Sequence, residues 1–321
     1  MLLFSYIGEH QERKLGDELV GILVFVDDIM SAGGAEDACK CIRNMRVMEI
    51  RKKFTYGLKK TKYMVVNTGR GKKEEIQEKV KAGIVTECEE YKYVGLWVNQ
   101  DGNCLCHIAK KKELIKGEIV AIKTVANPYN LGRCFLNVRL QLYQSCIIQS
   151  LLFDLEGWSK LSKKEYEKLE SVQAMGLCSL LGIPKTTPYI GLLNEVGMWS
   201  VEMHLVYRKI IFYHSIMNSD NKRLCKRILV EQESMDDEDT FFMDVKSMAT
   251  SIGLDIDTIL KSSKEVLKKI LKVRINDMML KSVEESLHMK KLRFVRRPQM
   301  FERKKYLSEM DGKAAMQVIR T

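Results

Sequence analysis

The chain has 321 residues, 45% of them apolar, and a formal net charge of +11 from 53 Lys+Arg against 42 Asp+Glu. That length suits one large or two to three small domains, and that apolar share supports packed cores rather than a disordered chain. No apolar run nears the roughly 18 residues of a spanning helix, and four prolines with 20 glycines exclude collagen-like or linker-like chains.

The opening MLLFSYIGEHQERK has too short an apolar part for a signal peptide, and its charges follow that part instead of preceding it. Nine cysteines, an odd number scattered over the chain, read as reduced thiols. The expectation is an intracellular protein, cytoplasmic or nuclear, with no membrane partner. The charge is concentrated. Arg51 to Lys81 holds 11 basic and 3 acidic residues, and Met289 to Lys305 holds 8 and 1, which leaves net −4 elsewhere. Such blocks are what a phosphate-binding surface requires, and they are equally what a solvated helix face or a charged tail looks like.

In chain order, the first element is LVGILVFV (19–26), an apolar run suited to a strand buried on both faces. It ends in Asp27 and Asp28. Two charges cannot be buried unpaired, so a β-hairpin is expected there, with both carboxylates in its turn and Ile29, Met30 and Ser31 starting the return strand. Carboxylates fixed on a rigid hairpin can hold a hard cation such as Mg²⁺, although most Asp-Asp pairs are ordinary solvated turns. A helix follows, with Ala38, Cys41, Ile42, Met45 and Met48 at helical spacing. KYMVVN (62–67) and YKYVGLWV (91–98) read as further strands, with Tyr91, Tyr93 and Trp97 alternating on one face. The first hundred residues thus form an α+β layer.

Beyond residue 100 the signals are helical. Ser162 and Glu165 form a capping box before a helix with Tyr166, Leu169, Val172 and Leu180 on one face, ended by Gly182 and Pro184. Thr187 and Pro188 predict an N-cap and first-turn proline, and Gly197 a stop. Ser200 opens a helix striped by Met203, Val206, Ile210, Tyr213 and Met217. Glu231 to Asp239 reads as an exposed acidic loop. Ser262 and Glu265 predict a second capping box, opening a long helix toward Lys290. Cys104-Leu-Cys106-His107 and Cys39-Lys-Cys41 lack the second ligand pair of a structural zinc site. His204 and His214 read as packing residues. The tail KKLRFVRRPQMFERKK interleaves Arg and Lys with Phe294 and Phe301; it suits charge-plus-stacking contact with single strands, or disorder.

Taken together, FVDD (25–28), GLKKTKYMVV (57–66) and YKYVGLWVNQDG (91–102) resemble, in order and spacing, three successive motifs of reverse transcriptases, particularly those of non-LTR (LINE-like) retrotransposons. They match the [FY]-x-D-D catalytic hairpin, a strand begun by a Lys-Thr pair, and the Tyr-x-Gly primer-grip hairpin. LQLYQSCIIQSLLFDLEGW (140–158), KKEYEKLESVQAMGLCSLLGI (163–183) and TTPYIGLLNEVGMW (186–199) resemble the helical thumb and the region after it. The resemblance covers residues 20–217.

What the resemblance implies is an α+β chain: a partial polymerase palm (antiparallel sheet plus helix) over 1–102, a helical thumb over 103–185, and a helical C-terminal extension with a basic tail over 186–321. It implies RNA-directed DNA polymerase chemistry, with RNA template, DNA primer, deoxynucleotide and Mg²⁺ or Mn²⁺. Asp27 would be a ligand of the catalytic metals, Asp28 a weaker contributor beside it, and Lys60 a cation near the incoming nucleotide's phosphates. Tyr93 and Gly95 would meet the primer, and Lys59 and Lys62 would add charge for nucleic acid. Phe25 and Val26 would pack beneath. The family also places an essential aspartate on an earlier strand, with Gln-Gly and Ser-Pro before the hairpin. The 24 residues before Phe25 offer only Glu9, Glu12, Asp17 and Glu18 as carboxylates, none in that context. The expectation is therefore a truncated polymerase, inactive alone; the alternative is a basic, non-catalytic, helical nucleic-acid-binding protein.

Overall fold

The computed structural model describes residues 61–66, 86–131, 135–235, 237–286, 300–305, 307 and 314, side chains at 130 and 224 aside, and the backbone alone of 22–25 and 28–31. The helix predicted after the first hairpin lies outside the described residues. The chain divides into two compact units, Met1–His107 and Ile108–Thr321. Mostly helical, it carries small two-stranded sheets, an α+β composition at the coarse level.

In the first unit, β1 (Ile22–Phe25) and β2 (Asp28–Ser31) are antiparallel, with Phe25 opposite Asp28 and Ile22 opposite Ser31. The predicted hairpin is present, and its return strand starts at Asp28, one residue earlier than expected. β3 (Lys62–Tyr63) is much shorter than the KYMVVN run and pairs parallel with β4 (Thr86–Glu87). β5 (Glu90–Tyr93) and β6 (Leu96–Asn99) form a second antiparallel hairpin. Among the described residues these are three separate ladders, not one continuous sheet.

The β5–β6 register corrects one reading. Tyr93 faces Leu96, Tyr91 faces Val98, and Lys92 faces Trp97. Residues directly opposite share a face, so a two-residue loop inverts the inward parity of the return strand. Tyr91, Tyr93, Leu96 and Val98 therefore form one face, with Tyr93, Leu96 and Val98 buried. Trp97 stands on the other, beside Lys92.

The second unit is built from α1 (Leu105–Val125), α2 (Pro128–Leu131), α3 (Phe135–Leu142), α4 (Ile148–Leu151), α5 (Lys163–Leu181), α6 (Tyr189–Val196), α7 (Val201–Met217), α8 (Leu224–Glu233), α9 (Phe241–Ser251), α10 (Ile256–Lys261) and α11 (Lys264–Ser286). A π-helical turn, Tyr143–Ile147, joins α3 to α4. α7 is the centre, touching α5, α8, α9, α10 and α11. Its predicted stripe is the reason: Met203, Val206, Ile210 and Tyr213 are buried, while Met217 is half-buried. Burying each such side chain stabilises by about 1.5–3 kcal/mol.

The helix ends follow local chemistry, with three shifts. The Ser162–Glu165 box forms in full, and Gly182 ends α5 in the left-handed conformation. Ser200 caps α7 through the Met203 amide. At α6 the N-cap is Pro188 instead of Thr187, whose hydroxyl donates to the Pro184 carbonyl at 2.7 Å. At α11 the capping hydroxyl belongs to Ser263, which accepts from the Val266 amide; Ser262 instead closes α10. Glu231 to Glu233 are the last turn of α8, not loop, and Gln232 is buried within that turn.

The described part of the second basic block is structural. Phe301 and Leu307 are buried. The Lys304 amide donates to the Glu195 carbonyl at 3.2 Å, and Arg303 Nε to the Val196 carbonyl at 3.4 Å. Both occupy carbonyls left open at the end of α6, where positive charge also meets the negative end of the helix dipole. Burial pulls the Arg303 pKa down. Phe301 is thus unavailable for base stacking; Phe294 lies outside the described residues.

Candidate functional site

Of the residues singled out by sequence, the described ones fall on or beside three ladders of the first unit. Asp28 opens β2, in register with Phe25. Asp27, Lys59 and Lys60 lie outside the described residues, as do the side chains of Phe25 and Asp28. Thr61, half-buried, immediately precedes β3. Lys62 is exposed on β3, and its ammonium hydrogen-bonds the Thr86 hydroxyl across the parallel pair. The β3–β4 ladder continues past its last pair, since the Cys88 amide donates to the Tyr63 carbonyl at 3.0 Å. Burial, with Glu87 alongside, raises the Tyr63 pKa.

Tyr93 and Gly95 belong to one hairpin. Tyr93 is buried as the last residue of β5, so its ring serves the core. The two loop residues have φ of +46° at Val94 and +93° at Gly95. A two-residue hairpin of type I′ requires positive φ at both positions. Glycine adopts it freely, whereas a β-branched residue there is strained. Strain of this kind gathers where backbone geometry is constrained by function. The hairpin is anchored by His107, whose Nδ1 accepts from the Trp97 amide at 3.2 Å. Lys92 and Trp97 form the non-hydrogen-bonded pair, so the Trp97 amide points away from β5 and can reach that ring.

For a metal, the candidate donors are the carboxylates of Asp27 and Asp28, oxygen ligands of the kind Mg²⁺ prefers. Among the described residues no three His, Cys, Asp or Glu side chains gather where they could hold a metal ion. Cys104 and His107 are buried, and the His107 ring is engaged with the β6 backbone, so the Cys104-x-Cys106-His107 cluster serves packing. No helix of the described residues is long and apolar enough to cross a membrane.

The second unit holds side chains that the sequence reading passed over. His204 packs against Trp199, as expected, and it also lines an open cleft with Trp199, Tyr207 and Arg208. His204, Arg208, Ile211 and Ser215 are spaced at four, three and four residues, a stripe on α7 distinct from its buried one. That second stripe was the available signal. His214 does pack: buried, it bonds the Ser262 carbonyl through Nε2 at 2.9 Å. No protein-family model, curated protein or solved structure matches the chain.

Proposed function

We propose that the chain is part of an RNA-directed DNA polymerase of the non-LTR retrotransposon kind, spanning the catalytic hairpin, the primer-grip hairpin, the thumb and a helical extension. The observation that supports this most is the β1–β2 register, with Phe25 opposite Asp28. It starts the return strand at Asp28, as an [FY]-x-D-D hairpin would. The strained Tyr93-Val94-Gly95 turn supports it independently.

In this reading Asp27 and Asp28 are oxygen ligands for Mg²⁺ or Mn²⁺. The bound metals would lower the pKa of a primer hydroxyl and offset charge on the phosphate. Lys60 brings positive charge to the incoming deoxynucleotide's phosphates and can protonate the leaving pyrophosphate. The Gly95 backbone lets a primer's sugar-phosphate approach closely, and Lys59 and Lys62 add attraction for the nucleic acid. Two adjacent carboxylates fall short of a two-metal donor set, which needs a further acid from another strand. On this reading the polypeptide by itself is expected to bind primer–template without extending it. The second reading, a basic non-catalytic nucleic-acid-binding protein, is favoured by the +8 block at 51–81 alone.

Two measurements separate these readings. Affinity for an RNA–DNA primer–template is expected to fall steeply between 50 and 200 mM salt and to rise with Mg²⁺ in the unmodified chain but not in Asp27→Asn. An equal Mg²⁺ response in both would select the non-catalytic reading. Primer extension on poly(A) is expected to give no product; a product would refute inactivity and strengthen the polymerase assignment.

A further inference from the structure

The cleft in the second unit has a volume of about 800 Å³, within the roughly 300–1,000 Å³ typical of small-ligand sites. Its aromatic wall is Trp199, His204 and Tyr207. The Trp199 ring lies 5.4 Å from His204 and 5.6 Å from Tyr207, tilted by 56° and 49°. Trp199 Nε1 donates to Asn276 Oδ1 at 2.8 Å, which fixes the indole in place. The wall is thus set before any ligand arrives.

The polar groups fall into two kinds. Arg208 is committed: it donates to the Leu152 carbonyl at 3.2 Å and Glu156 Oε2 at 3.3 Å, and it also bonds Gln149. Others are open. His204 Nε2 is shielded from solvent and has no hydrogen-bond partner among the described residues. Burial and the neighbouring Arg208 hold the ring's pKa down at about 4, so the imidazole is neutral at pH 7. Lys272, at the same cleft, is exposed and makes no ion pair among the described residues.

Flat rings and an exposed cation define a ligand with a planar heterocycle and a negative charge. We infer that this cleft binds a nucleotide, its base stacked on one face of the Trp199–Tyr207 wall and its phosphate met by Lys272. The inference goes beyond the polymerase reading and stands on geometry in the other unit. A free mononucleotide and an unstacked base of a single strand present this same chemistry.

The test uses the full chain and tryptophan fluorescence titrated with AMP, GMP, CMP, UMP and a single-stranded 12-mer. At least one monophosphate is expected to bind, and the matching nucleoside more weakly. Trp199→Ala should weaken binding by about 10-fold or more, the range of one lost stacking contact; a dye-labelled ligand reports that variant. Lys272→Ala changes an exposed residue and leaves the fold intact; it should weaken the monophosphate but not the nucleoside. A 12-mer that binds tighter, with the same sensitivities, identifies a single strand as the source; a 12-mer that fails where a monophosphate binds identifies a free nucleotide. Binding by none of the five ligands, or binding unchanged in Lys272→Ala and Tyr207→Leu together, would overturn the proposal. Loss of Mg²⁺ response in Asp27→Asn leaves these titrations untouched, so the two readings fail separately.

Discussion

The β5–β6 hairpin and the helical unit are held by different kinds of contact. In the β5–β6 hairpin every pair is local, from Tyr93–Leu96 at the turn to Glu90–Asn99 at the open end. In the helical unit the decisive contacts are remote in sequence. Lys209 reaches Asp244 across 35 residues, and Arg303 reaches Val196 across 107. Local contacts leave a readable trace in a short motif, whereas remote ones leave almost none. Removing a remote contact should therefore cost the fold more than altering a local turn.

Lys209 offers the strongest test. Its side chain is fully buried, with Nζ 2.5 Å from Asp244 Oδ2 and 2.7 Å from the Ser159 carbonyl. Lys209→Ala leaves the mostly buried Asp244 carboxylate uncompensated, and a loss of about 3–5 kcal/mol is expected in urea denaturation. Lys209→Met with Asp244→Leu should recover most of it. A loss below about 1 kcal/mol for the single variant would show that remote contacts do not dominate this unit.

Next in size is Gly197, which closes α6 at φ +60° directly under the 302–303 backbone. A Cβ there would collide with Arg303 N and Glu302 C. Gly197→Ala combines left-handed strain with overpacking, about 3 kcal/mol in all, and should release the tail to proteolysis. A fully protected tail in this variant would contradict the close packing.

The third is a pH effect at His204. Its folded pKa, about 4, lies below the ordinary 6.5. Below pH 6.5 the unfolded chain takes up a proton that the folded chain refuses. Stability is thus fully present above pH 6.5 and declines as pH falls toward 4, by about 2–3 kcal/mol in total. Denaturation midpoints of His204→Asn should lose that portion of the pH dependence. A parallel pH profile in the variant would place the ring elsewhere than beside Arg208 and Trp199.

The smallest effect belongs to the local region. Val94→Asn places an Asn-Gly pair in a loop that demands positive φ twice, and should stabilise the hairpin by about 1 kcal/mol. If it also weakens primer–template binding, the strained valine is functional; unchanged binding would make it incidental.

Much of the helical scaffold was legible because caps and stripes are local: Ser162 with Glu165, Ser200, Gly182, and the buried face of α7 all stand where the pattern puts them. Where neighbouring residues compete for one role, the pattern slips by a position, as at Ser262 and Ser263. The β5–β6 strands were legible, but Trp97 went to the opposite face because turn length, not alternation, sets parity across a hairpin. The β1–β2 pairing was legible because two charges end an apolar run, although Asp28 opens the return strand instead of sitting in the turn. The cleft was not legible, since its lining comes from the α3–α4 region, the stretch before α7, α7 itself and α11, and no single stretch announces it. Phe301 and Arg303 misled for a related reason: a basic, aromatic tail has the same composition whether it stacks on bases or plugs a helix end.

The π turn at Tyr143–Ile147 has one more effect. Gln144 and Gln149 both face the cleft, five positions apart, and Gln149 Nε2 reaches the Gln144 carbonyl at 3.5 Å. Along an uninterrupted α-helix, five steps would swing the second side chain roughly 140° from the first. The wider turn, closed by the Ile148 amide on the Tyr143 carbonyl, brings the two back to a common azimuth. Removing Ser145 from this turn would re-phase the helix that follows, swinging Gln149 off the cleft while leaving the apolar residue count unchanged.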